Sequence, residues 1–103
     1  MVTEQYNDRV YTMEEITDIV APVAERYGVE RVYVFGSYAK GTADAFSDVD
    51  LLIYPGKVRG LKYGELYSEL SEALDKGIDL VSNKVDRDIM DSISRYMVLV
   101  YAA

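Results

Sequence analysis

The segment VYVFGSYAKGTADAFSDVDLLIY, from Val32 to Tyr54, constrains the fold more than any other part of the chain. A run rich in Val, Tyr and Phe breaks at Gly36-Ser37, and a second apolar run then opens with Asp48 and Asp50, one residue apart. Aspartate is a poor strand residue, and burying a carboxylate is costly unless it is paired or bound to a cation. Short β-branched and aromatic runs punctuated by glycine predict two strands joined through a glycine-serine turn. Side chains alternate along a strand, so Asp48 and Asp50 share one face while Val49 and Leu51 take the other. Their Cα atoms then lie roughly 6.5–7 Å apart. Two carboxylates at that spacing can converge on one hard cation, or hold two.

The flanking sequence supplies the elements around this pair. Ile16, Ile19, Val20, Val23, Ala24 and Tyr27 form a helical stripe. Thr12 with Glu15 predicts a capping box at its start, Gly28 a glycine stop, and Pro22 a kink. The polar residues 1–11 read as a loose lead-in. After the second strand, Pro55-Gly56 and the basic, glycine-rich KVRGLKYG predict a connector. Leu66, Tyr67, Leu70, Ala73 and Leu74 predict a second helix ending near Gly77. IDLVS, Ile78 to Ser82, is a third strand. Asp86 or Asp88 opens a last helix, with Ile89, Met90, Ile93, Met97 and Val100 on one face. The apolar tail MVLVYAA suggests burial against the sheet or a neighbouring subunit. The order is α/β, a small sheet covered by helices in a single domain over residues 1–103.

Composition narrows the chemistry. With neither cysteine nor histidine among its 103 residues, the chain has no thiolate or imidazole ligand and no Ser-His-Asp triad. Any metal must be a hard cation held by oxygen, Mg²⁺ or Mn²⁺. The lack of cysteine fits a reducing cytoplasm. Eighteen acidic against eleven basic residues, net −7, disfavour a long nucleic acid as partner but not a small anion delivered with Mg²⁺. No apolar run approaches a membrane span, and the N-terminus carries no signal-peptide pattern.

The third strand repeats the theme, with Asp79 enclosed by Ile78 and Leu80. If the second and third strands are neighbours exposing the same face, Asp79 completes a three-carboxylate cluster that needs a cation or a shared proton. Gly36 lets backbone approach a ligand closely, and the Ser37 hydroxyl can donate to a phosphate oxygen. Carboxylates, divalent cations and a polyphosphate together are the apparatus of in-line nucleotidyl transfer. Taken singly, each aspartate fits a structural role equally well: Asp48 in a turn, Asp79 on the polar side of an edge strand. Lys57, Arg59 and Lys62 form a basic patch that reads more simply as a solvated loop, although it could reach a triphosphate or an acidic partner. Of the ten tyrosines, Tyr33, Tyr63 and Tyr67 are expected on buried or half-buried faces.

FGSYAKGTADAFSDVDLLI, with GIDLV downstream, resembles the signature of the nucleotidyltransferase superfamily that includes DNA polymerase beta, and within it the minimal nucleotidyltransferases (MNT). The resemblance implies a mixed sheet, with Gly36, Ser37 and Lys40 at the nucleotide. Asp48 and Asp50 would bind the metals, and Asp79 would complete the catalytic metal site and act as or assist the base. Lys40 stands where family members commonly have arginine, keeping the charge without the planar fork. Arg95 is followed by Tyr96-Met97 rather than the family's Glu-Gly, so no role is carried over to it. The resemblance further implies transfer of AMP from Mg·ATP to a hydroxyl, a tyrosine, of a partner protein. That partner would be a HEPN-type ribonuclease toxin, with the chain as antitoxin in a hetero-oligomer. No acceptor-holding domain is evident in the sequence, so the acceptor is expected on the partner. Two other classes stay open: a docking module that neutralises without catalysis, and a sensor that binds Mg·NTP without transfer.

Overall fold

The computed structural model describes residues 7–103. Eight elements follow one another: α1 (Met13–Tyr27), β1 (Arg31–Phe35), α2 (Gly36–Lys40), β2 (Val49–Tyr54), α3 (Leu61–Leu74), β3 (Ile78–Ser82), α4 (Arg87–Ser94) and β4 (Val98–Ala102). The four strands form one mixed sheet in the order β3-β2-β1-β4. β1 runs antiparallel to both β2 and β4, whereas β2 and β3 are parallel.

α1 begins as its sequence dictates. The Thr12 side chain accepts from the Glu15 N–H at 3.0 Å, and Glu15 accepts from the Thr12 N–H at 2.8 Å. The Thr12 N–H holds the Glu15 carboxyl below its ordinary pKa. The helix continues through Pro22 and ends at Gly28, left-handed at φ 77°. Of the lead-in, residues 1–6 lie outside the described part. Residues 7–12 form no helix or strand, but Tyr11 is buried and donates to the Leu74 carbonyl at 2.6 Å.

The core lies between one sheet face and the α1/α3 layer. Val49, Leu51 and Ile53 from β2 and Val32 and Val34 from β1 meet Ile16, Val20 and Val23 from α1 and Leu66, Leu70 and Leu74 from α3. The other face carries Arg31, Tyr33 and Phe35 beside Tyr54, Leu52 and Asp50, by the register of β1 with β2. There Leu52 is fully buried outside the main cluster; Ile93 of α4, also outside it, is buried less completely.

Three expectations change. Met97 and Val100 do not continue a last helix: α4 stops at Ser94, and Val98–Ala102 is a fourth strand paired with β1. This settles the apolar tail, which joins the sheet. α3 starts at Leu61, so half of the supposed connector is helical. Tyr67 is 43% exposed rather than buried. Among the described residues no helix is long and apolar enough to cross a membrane.

Candidate active site

The aspartates sit where strand pairing brings them together. Asp50 and Asp79 are direct partners in the parallel β2–β3 ladder, so their Cα atoms are roughly 5 Å apart and both side chains leave the same face. Asp48 lies just before β2. The Val49 N–H donates to the Gly77 carbonyl at 3.0 Å, which extends the ladder by one residue and sets Asp48 opposite Gly77.

Two glycines make room for two carboxylates. Gly36, the first residue after β1, has φ 70°, a left-handed conformation that other residues adopt at a cost. A Cβ there would lie 3.0 Å from Asp50 Cγ and would collide with Oδ2. At Gly77 a Cβ would lie 2.5 Å from Asp48 Oδ1 and 3.2 Å from its Cγ. The sequence assigned Gly77 to stopping the helix, but Asp75 does that, left-handed at φ 54° with its N–H on the Ser71 carbonyl. Gly77 is needed for the approach of Asp48 instead. No local signal distinguishes these two uses of a glycine after a helix.

Electrostatics penalise this grouping. Asp50 is half-buried, and its pKa is raised above the ordinary carboxylate value. Loss of hydration is the main cause, followed by the neighbouring charges of Asp79 and Asp48. Asp48 and Asp79 are exposed. Among the described residues no three His, Cys, Asp or Glu side chains are already grouped tightly enough to hold a metal ion. The donor chemistry nonetheless fits a hard cation: only carboxylate oxygens are present, on one sheet face, and two of the three occupy clearances that a Cβ would fill.

The glycine-serine turn stands beside them. Phe35 is the ladder partner of Asp50, and α2 starts at the next residue without a side-chain cap. Ser37 is half-buried, and its hydroxyl makes no hydrogen bond among the described residues. Its carbonyl accepts from the Thr42 N–H at 2.9 Å, which folds the following loop back. Lys40 is exposed at the end of α2, with its Nζ 5.5 Å from the centre of the Tyr96 ring. Sequence reasoning missed Lys76. Its ammonium donates to the carbonyls of Asn7 (2.8 Å) and Ala45 (3.2 Å), tying the loop that leads into Asp48 to the turn that leads into Asp79. A lone lysine before a glycine gives no sequence signal of such a clamp.

Residues 5–103 match the family of polymerase beta nucleotidyltransferases, and the chain belongs to it. Its relatives point to the minimal branch. The protein adenylyltransferase MntA of Thermococcus cleftensis is 36% identical over 95 residues, covering 86% of this chain and 96% of the relative. A solved structure assigned as a minimal nucleotidyltransferase superposes with a TM-score of 0.72 at 29% identity, covering 85% of this chain and 95% of that one. A chain of the complex between tri-AMPylated Shewanella oneidensis HEPN toxin and MNT antitoxin gives a TM-score of 0.66 at 17% identity. That match covers 89% of this chain and 74% of the other, and shows a common fold.

Proposed function

We propose that this chain transfers AMP from ATP to a tyrosine hydroxyl of a HEPN-type partner protein, acting as its antitoxin within a hetero-oligomer. One observation carries the reading: Asp50 and Asp79 are ladder partners on one sheet face, with Asp48 one pleat away and the Gly36-Ser37 turn alongside. Pure docking has no use for a half-buried carboxylate whose pKa is raised by burial and then by its charged neighbours. The name of the Thermococcus relative and the AMPylated toxin in the Shewanella complex support the choice of group transferred and of partner. The family resemblance and the lack of cysteine support a cytoplasmic setting and a single catalytic domain over residues 1–103.

Asp48, Asp50 and Asp79 would hold Mg²⁺, or Mn²⁺ in its place. When bound, the ion supplies charge neutralisation at the triphosphate and a more acidic acceptor hydroxyl. The chain's own groups do the rest. Ser37 donates its free hydroxyl to a phosphate oxygen, and Gly36 admits that phosphate close to the backbone. Lys40 adds positive charge at the end of α2. The acceptor oxygen attacks the α-phosphorus in line, the bond from that phosphorus to the pyrophosphate oxygen breaks, and the hydroxyl proton passes to an Asp79 carboxylate oxygen.

The test mixes the purified chain with ATP, Mg²⁺ and a HEPN-type candidate partner protein. The partner is expected to gain the mass of one or more AMP units, and Asp48→Ala or Asp50→Ala should abolish the gain. Partner binding that is tight and indifferent to ATP and to both substitutions would instead make the chain a docking module.

A further inference from the structure

The basic patch of the sequence lies at the opposite end of the sheet from the aspartates. Roughly 13 Å of β2 separates Asp50 from Tyr54, and Lys57, Arg59 and Lys62 come after it. They therefore do not serve the triphosphate of the active site. Lys57 and Lys62 stand at a cavity of about 550 Å³, lined also by Arg26, Tyr27, Gly28 and Val58. Arg59 and Lys84 line an adjoining cavity that shares Val58 with the first.

The wall is built rather than loose. Val58 is buried in the core, and its N–H donates to the Pro55 carbonyl at 3.1 Å. A Cβ on Gly56, which has φ 64°, would lie 3.2 Å from the Gly28 carbonyl oxygen, so the loop packs directly on the end of α1. The carbonyls at that end are capped by the Gly28 N–H. On the other side Arg26 pairs with Glu69, which also accepts from the Tyr27 hydroxyl at 2.7 Å.

The cations are unequally satisfied. Lys62 and Glu65 are 3.7 Å apart and both well exposed, a weak pair. Lys57 and Arg59 have no carboxylate within ion-pair distance among the described residues. A chain of net charge −7 thus places three cations around one preformed hollow, of which Lys57 has no carboxylate partner among the described residues and Lys62 only a weak one. Its volume falls in the range of small-molecule sites, and Tyr27 and Val58 give it an apolar wall. Overall acidity disfavours a long polyanion there.

We infer that this hollow is a second ligand site, distinct from the aspartate site, for a small phosphorylated organic molecule of mononucleotide size. The phosphate sits between Lys57 and Lys62, and the organic part lies along Tyr27 and Val58. This inference is independent of the proposed transfer reaction.

The test records amide NMR spectra of the full chain carrying Asp50→Asn, with EDTA present, during titration with AMP. Saturable shifts at Gly28, Lys57, Val58 and Lys62 are expected. Affinity should fall at least about tenfold in both the Lys57→Glu/Lys62→Glu and the milder Lys57→Gln/Lys62→Gln variants. In the wild-type background these variants should leave AMP transfer unchanged. No saturable shift, shifts confined to Gly36 and Ser37, or unaltered affinity in the lysine variants overturns the site. Inorganic phosphate binding as tightly as AMP overturns the organic ligand.

Discussion

Strand β2 has two faces that answer to different demands. Toward the helices, Val49, Leu51 and Ile53 are fully buried among aliphatic side chains from five other elements. Toward the other side, Asp50 is half-buried beside two more carboxylates, in clearances left by glycines. The first face gains stability from each methylene removed from water. The second gives stability up, because Asp50 loses hydration and faces the like charges of Asp79 and Asp48. A six-residue strand thus holds the fold with one set of side chains and strains it with the set between them. Substitutions on the carboxylate face should therefore raise stability and lower activity, whereas those on the core face should lower stability alone.

The largest effect is expected at Asp50. Asp50→Asn should lower AMP transfer to the partner by on the order of 10³-fold, read by mass spectrometry. The metal-free variant should nevertheless melt higher than the wild type. The sign follows from the raised pKa. The folded state binds the Asp50 proton more tightly than the unfolded chain, so ionisation costs stability as pH climbs through the carboxylate range. The stability gap between variant and wild type should open above about pH 4 and level off once Asp50 is ionised in the folded state. Equal melting at pH 7 would mean that the carboxylates do not strain the fold.

Leu51→Ala probes the other face. It should cost about 2–5 kcal/mol in denaturant unfolding, while the surviving folded fraction keeps its transfer activity per molecule.

The glycines sharpen the contrast further. Gly28 and Gly36 share a left-handed backbone, at φ 77° and 70°, but only Gly36 has a carboxylate where a Cβ would go. Alanine at either should cost about 1–2 kcal/mol of stability. Only Gly36→Ala should also lower transfer, by about 10²-fold, through displacement of Asp50. Equal loss of activity in both would remove the clearance argument. The smallest expected change is a gain: Asp75→Gly relieves the left-handed strain at the end of α3 and should add about 1 kcal/mol.

How far the letters carried the fold depends on whether each signal was local. The capping box at Thr12, the Gly28 stop and the third strand at Ile78–Ser82 are written in adjacent residues, and the structure has them where expected. The fourth strand was hidden because Ile93, Met97 and Val100 also keep helical spacing. A short apolar run cannot be told apart by period alone. Only pairing with β1 decides it. Gly64 concealed the first turn of α3, since glycine argues against a helix interior and here is overridden.

The candidate site divides in the same way. Asp48, Asp50 and Asp79 stand out as carboxylates in apolar runs, and Gly36-Ser37 as a break between strands. What the sequence hides is reciprocal and distant: Gly77 yielding space to Asp48, and Lys76 gripping the Ala45 carbonyl. Both depend on where two separated segments meet. The basic patch shows the converse. Its charge was plain in the sequence, yet only the folded chain reveals that it lies away from the aspartates and around a hollow of its own.

Asp48, Asp50 and Asp79 are proposed to form together a divalent-cation site next to a bound nucleotide. Titration of Mn²⁺ into the full chain in the presence of a non-hydrolysable ATP analogue, followed by electron paramagnetic resonance, tests it most directly. Saturable binding is expected, weakened at least about tenfold by Asp50→Asn and by Asp79→Asn separately. Mn²⁺ affinity that is unchanged in both variants would contradict the account.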